Sequence, residues 1–96
     1  MYKISRATKN KARKLGLTVV RSTNKNKKID VFKDGVKIAS IGARGYADFH
    51  IYKRLEKRGK VEKGTAKKRR KAYKARHEKY RHKKMSKSWL ADQLLW

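Results

Sequence analysis

Residues 28–42 read KIDVFKDGVKIASIG, and this stretch decides the fold. Apolar and polar residues alternate on both sides of Asp34-Gly35, the period of two that marks strands with side chains on alternate faces. An Asp-Gly pair between two such runs is the mark of a two-residue type I′ turn, in which both central residues take positive φ. A hairpin closed there sets Lys33 opposite Val36 and Val31 opposite Ile38, so Ile29, Val31, Val36 and Ile38 share one face, the expected core. The other face carries Asp30, Phe32, Lys37, Ala39 and Ile41, a mixture suited to partial exposure or to cover by a helix. Residues 17–21 (LTVVR) are β-rich and lie across a polar turn at 22–28, which predicts a third antiparallel strand.

Helical signals flank this sheet. Residues 1–15 read as a short basic helix with Ser5 as N-cap, Ala7, Ala12 and Leu15 as sparse apolar positions, and Gly16 as its stop. Gly42-Ala43-Arg44-Gly45 has the form of a phosphate-clamping loop; because it follows a strand, a turn with positive φ at its glycines is the favoured reading. In residues 46–58 (YADFHIYKRLEKR), Phe49, Tyr52 and Leu55 or Glu56 recur at helical spacing, with Asp48 near the start and Gly59 after the end, which predicts a helix over the sheet. Residues 66–84 predict a long basic helix with Thr65 as N-cap and a seam of Ala66, Arg70, Tyr73, His77 and Tyr80. Ser88 is the expected cap of a short C-terminal helix. The class is α+β: a small three-stranded antiparallel sheet with a covering helix, then a long basic helix and a short C-terminal one. The change in composition divides residues 1–59, a small α+β folded part, from residues 60–96, a basic arm ending in an apolar anchor.

Charge narrows the function. The 96 residues hold 31 Lys or Arg and seven Asp or Glu, a net charge of +24, so a compact form repels itself unless anions neutralise it. Residues 53–84 alone carry 17 bases against Glu56, Glu62 and Glu78, a net +14. Bases around the whole circumference of a helix, with Tyr73 and Tyr80 between them, suit a groove of negative potential. The candidate nucleic-acid or anion-binding residues are Arg44, Lys67, Lys68, Arg69, Arg70, Lys71, Lys74, Arg76, Lys79 and Arg81. Asn and Gln are scarce, so contact without sequence readout is expected. The run from Lys67 to Lys71 also has the form of a nuclear import signal.

Trp89, Leu90, Leu94, Leu95 and Trp96 crowd large apolar surface into one end and form a candidate protein-partner anchor, with docking on the chain's own sheet as the competing reading. No cysteine is present, which excludes disulfides and thiolate metal sites and fits a reducing compartment. No secretory-type leader and no membrane-spanning run is expected. His50, His77 and His82 lack paired carboxylates, and no nucleophile elbow, phosphate-binding Walker loop or catalytic carboxylate pair occurs. The expectation is a non-enzyme without metal or cofactor.

With the KDG hairpin, SIGARGYADF, the helix RRKAYKARHEKYRHKK and the terminal SKSWLADQLLW, the chain resembles a family of small basic proteins encoded by large double-stranded DNA viruses of algae and protists. The most specific parts are residues 69–79 and Trp89-Leu90-Ala91-Asp92 with Leu95-Trp96; Ser86-Lys87-Ser88 stands where the family is associated with a Gly- or Pro-containing turn. The resemblance implies a virion component, found in host cytoplasm or nucleus during assembly. One function it implies is a minor capsid protein under the outer shell, bridging capsid proteins and phosphate-rich surfaces. The other is a genome-condensing, sequence-independent DNA-binding protein. A ribosomal-protein-like RNA binder is supported by composition alone.

Overall fold

Asp34 and Gly35 both take positive φ, 51° and 80°, and Lys33 pairs with Val36, so the hairpin closes in the expected type I′ turn. The computed structural model describes residues 2–96. Along the chain run α1 (Arg6–Lys14), β1 (Thr18–Arg21), β2 (Lys27–Lys33), β3 (Val36–Ala43), α2 (Phe49–Lys57), α3 (Thr65–Arg76) and α4 (Lys87–Leu94). The strands form one antiparallel sheet in the order β1-β2-β3, and the class is α+β. Residues 1–46 and 47–96 are two compact units. The division thus falls before α2 and not near residue 59, and α2, expected over the sheet, belongs with α3 and α4.

In the first unit the register departs from expectation after two pairs. Phe32 pairs with Lys37 but Val31 pairs with Ala39, so Ile38 is an extra residue in β3, a bulge. One inserted residue exchanges the faces of everything beyond it. The core residues of the hairpin are therefore Ile29, Val31, Ala39 and Ile41, the last only 2% exposed, whereas Val36 is 64% exposed and Ile38 38%. Of the expected core face, Ile29 and Val31 stand and Val36 and Ile38 do not.

The bulge also brings Ser40 opposite Asp30. Asp30 is buried and accepts hydrogen bonds from Ser22 Oγ and Ser40 Oγ, both at 2.6 Å, and from the Thr23 amide at 3.4 Å, with Lys37 Nζ at 3.7 Å. Burial pushes its pKa up, but the two hydroxyls, the amide and Lys37 outweigh that and hold it below the ordinary value. One carboxylate thereby ties β2 to β3 and to the loop that follows β1. α1 is capped by Ser5, whose Oγ accepts from the Thr8 amide at 3.1 Å, and stops at Gly16 with φ 74°, both as expected. It buries Thr8 and Ala12 and packs against β1.

In the second unit the helices satisfy one another's ends. Asp48 caps α2, its Oδ1 accepting from the Ile51 amide at 3.0 Å. The last carbonyls of α4 and its cap meet the start of α2: Leu95 O accepts from the Phe49 amide at 3.1 Å, and Leu94 O from His50 Nε2 at 3.2 Å. The cap of α3 is Gly64, with φ 95°, and not Thr65, which donates its hydroxyl to Glu62 O at 2.6 Å. Gly64 has no side chain to accept the first amides. Glu56 of α2 does this instead, its carboxylate accepting from Gly64 N at 2.9 Å and Ala66 N at 2.7 Å. α4 starts two residues earlier than expected, with Ser86 and not Ser88 as cap, its Oγ accepting from Trp89 N at 3.1 Å.

The long basic helix is a correction. α3 ends at Arg76, and residues 77–84 continue as turns, beginning with Tyr80 and Arg81 amides that both donate to His77 O. No glycine or proline marks that stop. It coincides with local contacts, His77 stacked on Tyr73 at 4.2 Å and Arg81 paired with Glu78, and with one tertiary contact, Arg81 to Asp92 of α4.

Ile41→Ala is expected to cost about 2–5 kcal/mol, the range for deleting a buried isoleucine. Ile38→Ala, the same chemical change on the bulge, should stay within about 1 kcal/mol, as partly exposed positions do. Urea unfolding followed by circular dichroism measures both, and a larger loss at Ile38 would restore the unbulged register.

Candidate nucleic-acid interface

The bases proposed to meet anions fall into three groups according to what each touches. Some hold the protein together. Lys74 Nζ pairs with buried Asp92 at 2.8 Å, and Arg81 pairs with Glu78 at 2.7 Å and with Asp92 at 3.7 Å, so both pin α4. Arg44 donates its Nε to Lys27 O at 2.9 Å and a terminal nitrogen to Ser22 O at 3.4 Å, and its backbone amide to Asn26 O. It clasps the β1–β2 loop, between glycines with φ 79° and 90°, which bears out the turn reading of Gly42 and Gly45.

Others lie over aromatic rings. The guanidinium of Arg70 sits 4.7 Å from the centre of the Phe49 ring, and that of Arg69 5.7 Å from Tyr52, while Lys79 Nζ lies 5.8 Å from Tyr80. Arg69, Arg70 and Lys79 are exposed and keep hydrogen-bonding edges toward solvent. The last group, Lys67, Lys68, Lys71 and Arg76, is exposed on α3, with no carboxylate at ion-pairing distance among the described residues.

What fixes α3 in place is its inward side. Ala66 is buried, Arg70 covers Phe49, and Tyr73 is sandwiched between His77 at 4.2 Å and Trp96 at 4.5 Å, the Trp96 ring tilted only 8° from its own. Burial first, and then nearby Asp92, push the Tyr73 phenol above its ordinary pKa, so it stays neutral. The expected seam holds from Ala66 to His77 and fails at Tyr80, which is 58% exposed because the helix has already ended.

The apolar anchor is corrected in the same way. Leu90, Leu94 and Leu95 are buried, so these three are interior, while Trp89 and Trp96 are half-buried, Trp96 stacked on Tyr73. An open hollow lined by Lys53, Arg54, Lys57 and Lys63 around Glu56 adds bases that the sequence placed only within the general positive charge of that region. Among the described residues no group of three or more metal-ligating side chains comes together, and no helix is long and apolar enough to cross a membrane. Comparison with models of protein families, with curated proteins and with solved structures finds no match.

The interface depends on a carboxylate outside it. The Gly64 and Ala66 amides hold Glu56 below its ordinary pKa of 4.5, so the stability it confers is complete above about that pH and is lost as pH falls through the folded value. His50 acts in the same direction: burial lowers its pKa from 6.5, partly opposed by Asp48 and the Leu94 carbonyl, so protonating it also weakens the fold. The thermal midpoint should therefore fall as pH drops from 7 toward 4. Glu56→Gln should lower the midpoint at pH 7 and flatten its decline below pH 4.5, a difference scanning calorimetry reads directly. Parallel declines in the two proteins would mean that this carboxylate does not cap α3.

Proposed function

We propose that this protein binds nucleic acid through its phosphates, without reading sequence, and that the outward side of α3 is the principal contact. One observation carries this reading. The acids are largely engaged in holding the fold, Asp30 in the sheet, Asp48 and Glu56 at helix starts and Asp92 under α4, while Lys67, Lys68, Lys71 and Arg76 stand exposed without a partner acid. Uncompensated charge of this density is relieved by a polyanion, which releases its condensed counterions on binding.

The resemblance to small basic proteins of large DNA viruses supplies a setting that fits, a genome to be condensed or held within a particle. The resemblance fits a capsid-bridging protein as well, for which the apolar C-terminal end would be the anchor. With Leu90, Leu94 and Leu95 in the interior, half-buried Trp89 and the resemblance are what support it.

Two unrelated DNA duplexes titrated at several salt concentrations test the proposal. Affinities should agree within about tenfold and fall with a log–log slope near −5 or steeper. Changing Lys67, Lys68, Lys71 and Arg76 together to Gln should make the slope shallower by about 3 to 4. A flat salt response, or strong preference for one duplex, would sink it.

A further inference from the structure

The first compact unit carries a basic helix of its own. Residues 2–46 hold 13 Lys or Arg against two acids, Asp30 and Asp34. In α1 five of nine residues are basic, nearly the proportion in α3, where seven of twelve are, and neither helix contains an acid. One side of α1 is taken up by the fold: Thr8 and Ala12 are buried, Ser5 caps the first turn, and the helix packs against β1. At about 100° per residue, the side opposite Thr8 and Ala12 is centred on Asn10. Arg6 and Lys14 lie about 40° and Arg13 about 60° from that centre, with Lys9 and Lys11 about 100° away at its two margins. All six of these residues are exposed.

Nothing in the chain neutralises this helix. Among the described residues no carboxylate lies at ion-pairing distance from any of its five bases. Asp30 is held by Ser22, Ser40 and Lys37, and Asp34 sits in the hairpin turn. The carbonyl end of a helix favours bases in its last turn, which suits Lys11, Arg13 and Lys14. That reason does not extend to Arg6 and Lys9. Arg6 with Lys9, Lys9 with Arg13 and Lys11 with Lys14 are like-charged neighbours at spacings of three and four, pairs that weaken a helix instead of supporting it. Bound anions would turn this repulsion into attraction. The outward side holds no apolar residue larger than Ala7, so it has nothing to insert into a bilayer, and its chemistry is that of a phosphate contact.

We propose that α1 is a second phosphate contact, made by Arg6, Lys9, Arg13 and Lys14, so that one chain grips nucleic acid at two places, one on each compact unit. This rests on the nucleic-acid reading above and adds to it a second binding surface. A chain with two contacts holds a long polymer more tightly than either contact alone, because the second engagement follows within the same complex.

The test uses the full chain and long duplex DNA, on which one molecule can make both contacts whether they fall on neighbouring phosphates or on separate segments. Filter binding at several salt concentrations gives the log–log slope. Arg6→Gln, Lys9→Gln, Arg13→Gln and Lys14→Gln together place good helix formers at exposed positions, so circular dichroism should be unchanged. This variant should have a slope shallower than wild type by about 3 to 4. A second variant loses the same four charges at exposed lysines scattered over the chain, Lys25→Gln, Lys33→Gln, Lys60→Gln and Lys87→Gln. Its slope should change by less than about 1, since the slope counts phosphates contacted and not net charge. A wild-type slope in the α1 variant, or an equal loss in the scattered variant, overturns the second contact, while salt-dependent binding by wild type leaves the phosphate reading standing. Absence of salt-dependent binding by wild type overturns both.

Discussion

Seven carboxylates among 31 cationic side chains are the constraint under which this fold is built. A carboxylate accepts strong hydrogen bonds and neutralises charge, and here several do both at points where nothing else in the chain would serve. Asp30 joins β2 to β3 and to the end of the β1 segment through the hydroxyls of Ser40 and Ser22. Glu56 replaces the side chain that Gly64 lacks at the head of α3, and Asp92 draws Lys74 and Arg81 onto α4. With Asp30, Asp48, Glu56 and Asp92 engaged in the fold, only Asp34, Glu62 and Glu78 remain as exposed acids among many exposed cations. The interior order and the proposed binding of polyanions therefore rest on one allocation.

The sequence showed local chemistry well and tertiary chemistry poorly, and the hairpin displays both. Asp34-Gly35 announced its turn because φ > 0 at two successive residues admits few residue types. The bulge at Ile38 carried no such mark, since an isoleucine fits a regular strand as readily as a bulged one; the choice was made by Ser40, which reaches Asp30 only when the register slips. Caps followed the same division. Ser5 and Asp48 were legible next to their helices, whereas Glu56 acts on amides eight and ten residues away, and Ser86 and Ser88 differ in nothing but what surrounds them.

Among the candidate binding residues, composition identified the right region and could not rank its members. Lys71 and Lys74 are alike in type and three positions apart, yet one is exposed and the other is tied to a carboxylate 18 residues further on. The C-terminal leucines posed the same difficulty, because an interior helix and a docking helix need the same side chains. Burial decided it for Leu90, Leu94 and Leu95.

The clasp between the end of α4 and the start of α2 has a consequence for how the chain is made. The contacts of residues 2–46 are all available once that stretch has been synthesised, so the sheet unit can fold while the rest is still emerging. The second unit differs, for Phe49 and His50 wait on Leu95 and Leu94, more than 40 residues later. Until then α2 and α3 have each other but not the carbonyls that meet the first turn of α2. Closure of this unit therefore depends on contacts far apart in sequence, which places it late in the folding of the chain.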